Sequence, residues 1–88
     1  MQKLPSVKTP LNQHSLFALE TWLCEIGAIK NDENPCLWRL ETPHWQAHII
    51  MESDELKVTW DHNGMNRQCC FPYGLSREDV QNAIFEGP

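Results

Sequence analysis

The hydrophobic residues of this chain are spaced first as in a helix and then as in strands. Helical spacing begins after residue 14, where apolar side chains recur every three or four positions and form one stripe. The stripe consists of Leu16, Leu19, Leu23 and Ile26, with Trp22 on its flank. Gly27 follows and is placed to end a helix. The pattern therefore predicts a first helix over about residues 15–26.

Alternation of apolar and polar residues replaces the helical spacing after Pro35. It predicts four strands, which begin near residues 36, 45, 55 and 67. Short turns separate them, and Asn63-Gly64 is typical of a tight hairpin. Consecutive hairpins form an antiparallel meander in which one face is apolar and the other meets water. The apolar face is predicted to contain Trp38, Leu40, Trp45, Ile49, Met51, Leu56, Val58 and Trp60.

Residues 73–88 specify a second helix. Ser76 can cap the amides of its first turn, and Gly87 is placed to end it. Between them lies one apolar stripe, formed by Val80, Ala83 and Ile84.

The predicted element order is α-β-β-β-β-α, which indicates a two-layer α+β domain. Two amphipathic helices are available to cover the apolar face of the meander sheet. Residues 1–13 contain Pro5 and Pro10 and show no periodicity, so we predict an extended N-terminal arm there. Residues 14–88 are predicted to be a single domain, because 88 residues support only one small core.

Charge and hydropathy narrow the possible partners. The net charge is −5 and the isoelectric point is about 5.2, and the seven basic residues are scattered. Nucleic acids and anionic membrane surfaces attract clustered Lys and Arg, so neither is an expected partner. No apolar run reaches the roughly 20 residues of a membrane span, and the N-terminus lacks the apolar stretch of a signal peptide. We expect a cytoplasmic protein without a membrane span.

The cysteines do not form a recognisable site. Cys24, Cys36, Cys69 and Cys70 lack the C-x-x-C spacing of structural zinc sites, and reduced thiols are expected in the cytoplasm. We predict no catalytic residues, no cofactor and no metal, and therefore no enzyme. The alternative hypothesis is a metal- or redox-sensing domain that uses Cys69 or Cys70 together with His62.

Three residues are candidates for contact with a protein partner. Phe17 lies on the opposite side of the first helix from the apolar stripe, and Phe85 lies off the stripe of the last helix. Arg77 is expected at an exposed helix start, where its charge opposes the helix dipole and could meet a carboxylate or phosphate. Structural explanations stay open: Phe17 could pack under the arm, Phe85 against the sheet edge, and Arg77 against an acidic residue.

Short motifs along nearly the whole chain point to a family. They are Thr9-Pro10-Leu11 with His14, Leu19-Glu20-x-Trp22-Leu23 with Gly27, Asn34-Pro35-Cys36-Leu37-Trp38, Trp45-x-Ala47, Leu75-Ser76-Arg77-x-Asp79, and Ala83-Ile84-Phe85-x-Gly87-Pro88. In these motifs the chain resembles a small family of cyanobacterial and plastid proteins, domain-of-unknown-function family 3143. The chain departs from it at Ser15, where Pro is expected, and at residues 69–72, which replace a more polar aromatic strand. The second departure argues against an essential role for the two thiols there.

The resemblance implies a cytosolic or stromal setting in photosynthetic cells and no known enzyme activity. Together with the small acidic domain, it leads us to predict a non-enzymatic protein-interaction module. The module would be an accessory or assembly factor in oxygenic photosynthetic cells, with a protein partner that the sequence does not identify. The sequence leaves the oligomeric state open.

Overall fold

The computed structural model describes residues 4–88. They form two helices packed on one face of a five-stranded sheet. A 3-10 turn at Leu11–Gln13 precedes the regular elements. These are α1 (Leu16–Glu25), β1 (Ile29–Lys30), β2 (Leu37–Glu41), β3 (Gln46–Met51), β4 (Glu55–His62), β5 (Met65–Pro72) and α2 (Arg77–Glu86). The strands lie in chain order and each neighbouring pair is antiparallel. The predicted α+β class and meander sheet are therefore confirmed.

The sheet has five strands instead of the predicted four, because a short strand follows α1. Gly27 adopts a φ of 100°, a conformation that glycine tolerates best, and ends α1. The chain then pairs Ile29 with Arg39 and Lys30 with Trp38, which places β1 at the edge next to β2. Two residues are too few to show alternation, so the sequence pattern did not predict this strand.

The core lies between the helices and one face of the sheet. The register aligns Trp38 of β2, Ile49 of β3 and Val58 of β4 in one buried row across the sheet. Trp45 and Met51 belong to the predicted apolar face but are only partly buried against the core, which Phe71 of β5 completes. The opposite face is exposed or half-buried, as the alternation predicts.

The buried side of α1 differs from the predicted stripe. Leu16 was expected in the core, but 65% of its surface is exposed. Trp22 was placed on the flank and is instead buried, with Ala18 and Leu23 beside it. The indole N–H of Trp22 donates to the side-chain oxygen of Gln81 on α2 (2.9 Å). Trp22 therefore sets the rotation of α1, because its ring buries more apolar area than a leucine and its N–H finds a partner there.

The N-terminal arm supplies hydrogen-bond acceptors for the start of α2. The backbone N–H of Arg77 donates to the carbonyl oxygen of Thr9 (3.1 Å), and that of Glu78 donates to Val7 (2.8 Å). The predicted cap is present as well, since the Ser76 hydroxyl oxygen accepts from the amide of Asp79 (3.1 Å). The amides at the start of a helix have no partner within the helix, so the arm stabilises α2 directly.

The same arm contributes an apolar side chain to the core. Leu11 is 1% exposed and belongs to the buried cluster. Its N–H donates to the carbonyl of Leu75 (3.0 Å), which holds the 3-10 turn against the loop before α2. Residues 1–3 of the predicted arm lie outside the described residues.

Truncation of Leu11 tests whether the arm is part of the folding unit. Leu11→Ala should lower the free energy of unfolding by about 2–5 kcal/mol, because it removes a buried side chain and leaves a cavity. Val7→Ala is the matched control on the same arm: the Val7 side chain is exposed, so the change should stay within about 0.5 kcal/mol. Urea denaturation of the three proteins measures both values. Equal midpoints for Leu11→Ala and the parent would show that the Leu11 side chain does not contribute to stability.

Candidate functional site

The three predicted contact residues do not form one surface. Phe17 lies on α1 and is 58% exposed, whereas Phe85 lies near the end of α2 and is 44% exposed. Arg77 begins α2, eight positions before Phe85 and thus about 12 Å away along the helix axis. Each residue therefore has to be considered in its own surroundings.

Arg77 is buried, which corrects the expectation of an exposed helix start. Only 5% of its surface is accessible, because the N-terminal arm crosses the beginning of α2. One guanidinium nitrogen, Nη2, donates to the carbonyl oxygen of Pro5 (3.1 Å), while Nε and Nη1 have no hydrogen-bond partner within residues 4–88. The arm thus provides a negative partial charge beside a cation that opposes the helix dipole. A protein partner would reach this guanidinium only after the arm moved away.

Phe85 packs beside Trp45, the residue that precedes β3. Its ring centroid lies 6.5 Å from that of Trp45, and the two planes are tilted by 51°. Such tilted pairs contribute beyond the area they bury. The remaining exposed part of Phe85 lies at the end of the molecule where α2 finishes.

Phe17 lines a groove between α1 and the β1 edge of the sheet. The groove has a volume of about 570 Å³, and most of its lining is apolar. One wall is the outer side of α1, and the other is formed by β1 and the residue before it. The lining residues are Phe17, Glu20, Thr21 and Cys24 on α1, together with Ala28, Ile29, Lys30 and Trp38.

The groove has a charged rim over an aromatic floor. The ammonium group of Lys30 lies 2.7 Å from a carboxylate oxygen of Glu20 and so joins the two walls by an ion pair. The same ammonium group is 6.0 Å from the centre of a Trp38 ring, at the outer limit for a cation–π interaction. Both charged side chains are partly exposed, so the rim remains accessible to a partner.

Sequence reasoning identified one residue of this groove, Phe17, and missed the rest. A signal for its helical wall was present, because Phe17, Thr21 and Cys24 are four and then three residues apart and so share one side of a helix. The second wall could not be recognised without the unpredicted strand β1. Helix phase alone therefore pointed to the correct side of α1 without showing that it borders a groove.

The two thiols of the alternative hypothesis lie on opposite faces of β5. Cys69 lies opposite Val58 on the core-facing side of β5, and Cys70 lies opposite Lys57 on the other face. No group of three or more metal-binding side chains occurs within residues 4–88. Desolvation, followed by the negative charge of Glu55, raises the pKa of the Cys70 thiol. A raised pKa leaves less of the reactive thiolate at neutral pH, which also disfavours redox sensing by Cys70.

Comparison with known proteins assigns the chain to a family. Among the described helices, none is long and apolar enough to cross a membrane. No curated protein and no solved structure is detectably similar to the chain. A family model described as "Protein of unknown function (DUF3143)" matches residues 26–87, which include all five strands and α2. The match spans more than half of the 88 residues, and the chain therefore belongs to the DUF3143 family of proteins of unknown function.

Proposed function

We propose that this domain is a non-enzymatic protein-interaction module that binds its partner through the groove between α1 and β1. The observation that carries the proposal is the exposed ring of Phe17 beside an apolar groove. Exposed apolar surface in a concave position is a common mark of a protein interaction site. Aromatic side chains beside pockets also contribute much of the affinity in many interfaces.

The groove suits an apolar side chain of a partner protein. Phe17 and Ile29 are the exposed apolar residues of the lining, while Glu20 and Lys30 on the rim offer one carboxylate and one ammonium group. A central apolar anchor surrounded by polar groups is the usual anatomy of a protein interface. The partner would therefore present a leucine-like or aromatic side chain flanked by polar residues.

The remaining candidate residues have secondary roles in this proposal. Phe85 would form a separate, smaller contact at the end of α2, where its ring is partly buried and lies beside Trp45. Arg77 would take part only if the arm were displaced. The proposed setting, the cytoplasm of an oxygenic photosynthetic cell, and the role of accessory or assembly factor are supported by the sequence motifs that resemble the cyanobacterial and plastid family.

Replacement of Phe17 tests the groove. Phe17→Ser should reduce the yield of the specific partner at least tenfold in affinity capture from a lysate of the source organism, because an interface hot spot contributes about 2 kcal/mol or more. The matched control is Leu16→Ser, on the same helix: Leu16 is slightly more exposed than Phe17 but does not line the groove. Mass spectrometry of the captured proteins measures the yield for both variants and the parent.

The comparison of the two variants decides the outcome. Partner loss with Phe17→Ser alone would assign binding to the groove. Equal loss with both variants would indicate non-specific capture by exposed apolar surface, and retention with both would exclude the groove. Circular dichroism of each variant would show whether the fold is intact, as expected for substitutions of exposed side chains.

A further inference from the structure

The two edges of the sheet are unequal. The β1 edge is only two residues long, whereas the β5 edge is eight residues long and forms the other end of the strand order. Natural proteins usually protect a long edge strand with lysines, bulges, covering loops or another strand. Six of the eight β5 residues in succession, 65–70, are exposed. The β5 edge is therefore the part of the backbone most open to a further strand.

The turn between β3 and β4 fixes which backbone groups of β5 face outward. The N–H of Glu52 donates to the carbonyl of Glu55 (3.0 Å), so Glu55 and every second residue after it in β4 bond toward β3. Hydrogen bonding alternates along an antiparallel strand, so the residues between them, starting at Leu56, bond toward the odd-numbered positions of β5. The even-numbered positions of β5 direct their backbone groups to the open edge. They are Asn66, Gln68, Cys70 and Pro72.

The outward backbone groups at Asn66, Gln68 and Cys70 have no hydrogen-bond partner within residues 4–88. Pro72 shares their orientation and has no N–H, which is the arrangement in which an edge strand accepts proline without losing a bond. Pro72 thus ends the segment available for pairing. Three residues in alternate positions remain, with Gln68 at their centre.

We propose that β5 pairs antiparallel with β5 of a second copy, centred on Gln68, so that two domains form one continuous ten-stranded sheet. An antiparallel pair of identical strands has two-fold symmetry, the commonest symmetry of soluble homodimers. In this register Gln68 faces Gln68 of the second copy, and Asn66 faces Cys70. All three outward residues then exchange backbone hydrogen bonds, and Pro72 stays outside the paired segment.

Charges beside the edge are complementary in this arrangement. Arg67 and Glu86 line one concavity between β5 and the last turn of α2, together with Cys69. Neither charge forms an ion pair within residues 4–88. The Gln68-centred register places Arg67 of each copy opposite Cys69 of the other, at the concavity that the other copy's Glu86 also lines. The two-fold axis thereby creates two equivalent pairs of opposite charge, which favours a second copy over an arbitrary strand.

The groove of the proposed function lies at the other edge of the sheet, beside β1. Self-association through β5 would therefore leave the groove free for a partner. The two proposals can fail independently.

Proline substitution tests the pairing through the backbone. Gln68→Pro removes an N–H that has no partner inside the described chain but donates to the second copy in the proposed dimer. The parent should sediment at twice the monomer mass of 10.3 kDa at high concentration, and Gln68→Pro should sediment as a monomer. Gln68→Thr, which keeps the N–H, is the matched control and should remain a dimer. A monomeric parent throughout the dilution series, or a dimeric Gln68→Pro, would overturn the proposal.

A disulfide test fixes the register and does not depend on the proline variant folding. Residues 67 and 69 of opposite copies would form a pair without mutual hydrogen bonds, with Cα atoms about 4.5 Å apart. This separation is within disulfide reach, so Arg67→Cys should give a covalent dimer rapidly under mild oxidation, through a bond to Cys69. The parent, in which Cys69 faces Arg67, should cross-link much more slowly. Equal cross-linking of parent and variant, or a peptide map without the 67–69 bond, would overturn the Gln68-centred pairing.

Discussion

The start of α2 depends on hydrogen bonds from the distant N-terminal arm. Carbonyl oxygens of Val7 and Thr9 accept from Glu78 and Arg77, amides that the helix itself cannot satisfy. A buried amide without an acceptor costs about 1–3 kcal/mol, so these bonds tie the arm to the helix energetically. The same arm places Leu11 in the buried cluster, which also contains side chains of both helices and the sheet. Arm, helix and core therefore stabilise one another.

Local sequence patterns predicted the helices and strands in which apolar residues recur regularly over several turns or residue pairs. They failed where contacts between residues distant in the chain determine which side chains are buried. The alternation in β4 is long and lies over a single core, so its buried face could be read directly from Leu56, Val58 and Trp60. The first helix has more apolar residues than its core side can hold, and periodicity alone did not show whether Leu16 or Trp22 is buried. Burial of Trp22 is accompanied by its hydrogen bond to Gln81 on α2. No local pattern can predict a bond between residues so far apart in the chain.

The candidate residues show the same limit. Phe17 was found because helix phase alone places it away from the core. Arg77 was expected to be exposed because it stands at the start of a helix. The N-terminal arm covers it near Pro5, and the spacing of residues within α2 cannot predict that contact. A residue that contradicts local helix rules can thus be satisfied by tertiary structure as well as by a partner. Burial separates the two cases, and it leaves Phe17 as the stronger contact candidate.

The two ends of the sheet present different chemistry for recognition. The groove beside β1 is lined by side chains of defined shape, with exposed Phe17 and Ile29 and the Glu20–Lys30 pair at the rim. In the proposed complex these side chains would discriminate between partners. The edge of β5 offers mainly backbone groups, which are the same in every protein and discriminate poorly unless the neighbouring side chains match. An exposed edge of this kind is protected from non-specific strand pairing when a strand of matching register and charge occupies it. In the proposed dimer a second copy supplies that strand. On this argument the two proposed interfaces have different tasks: self-pairing closes the open edge, and the groove selects the partner.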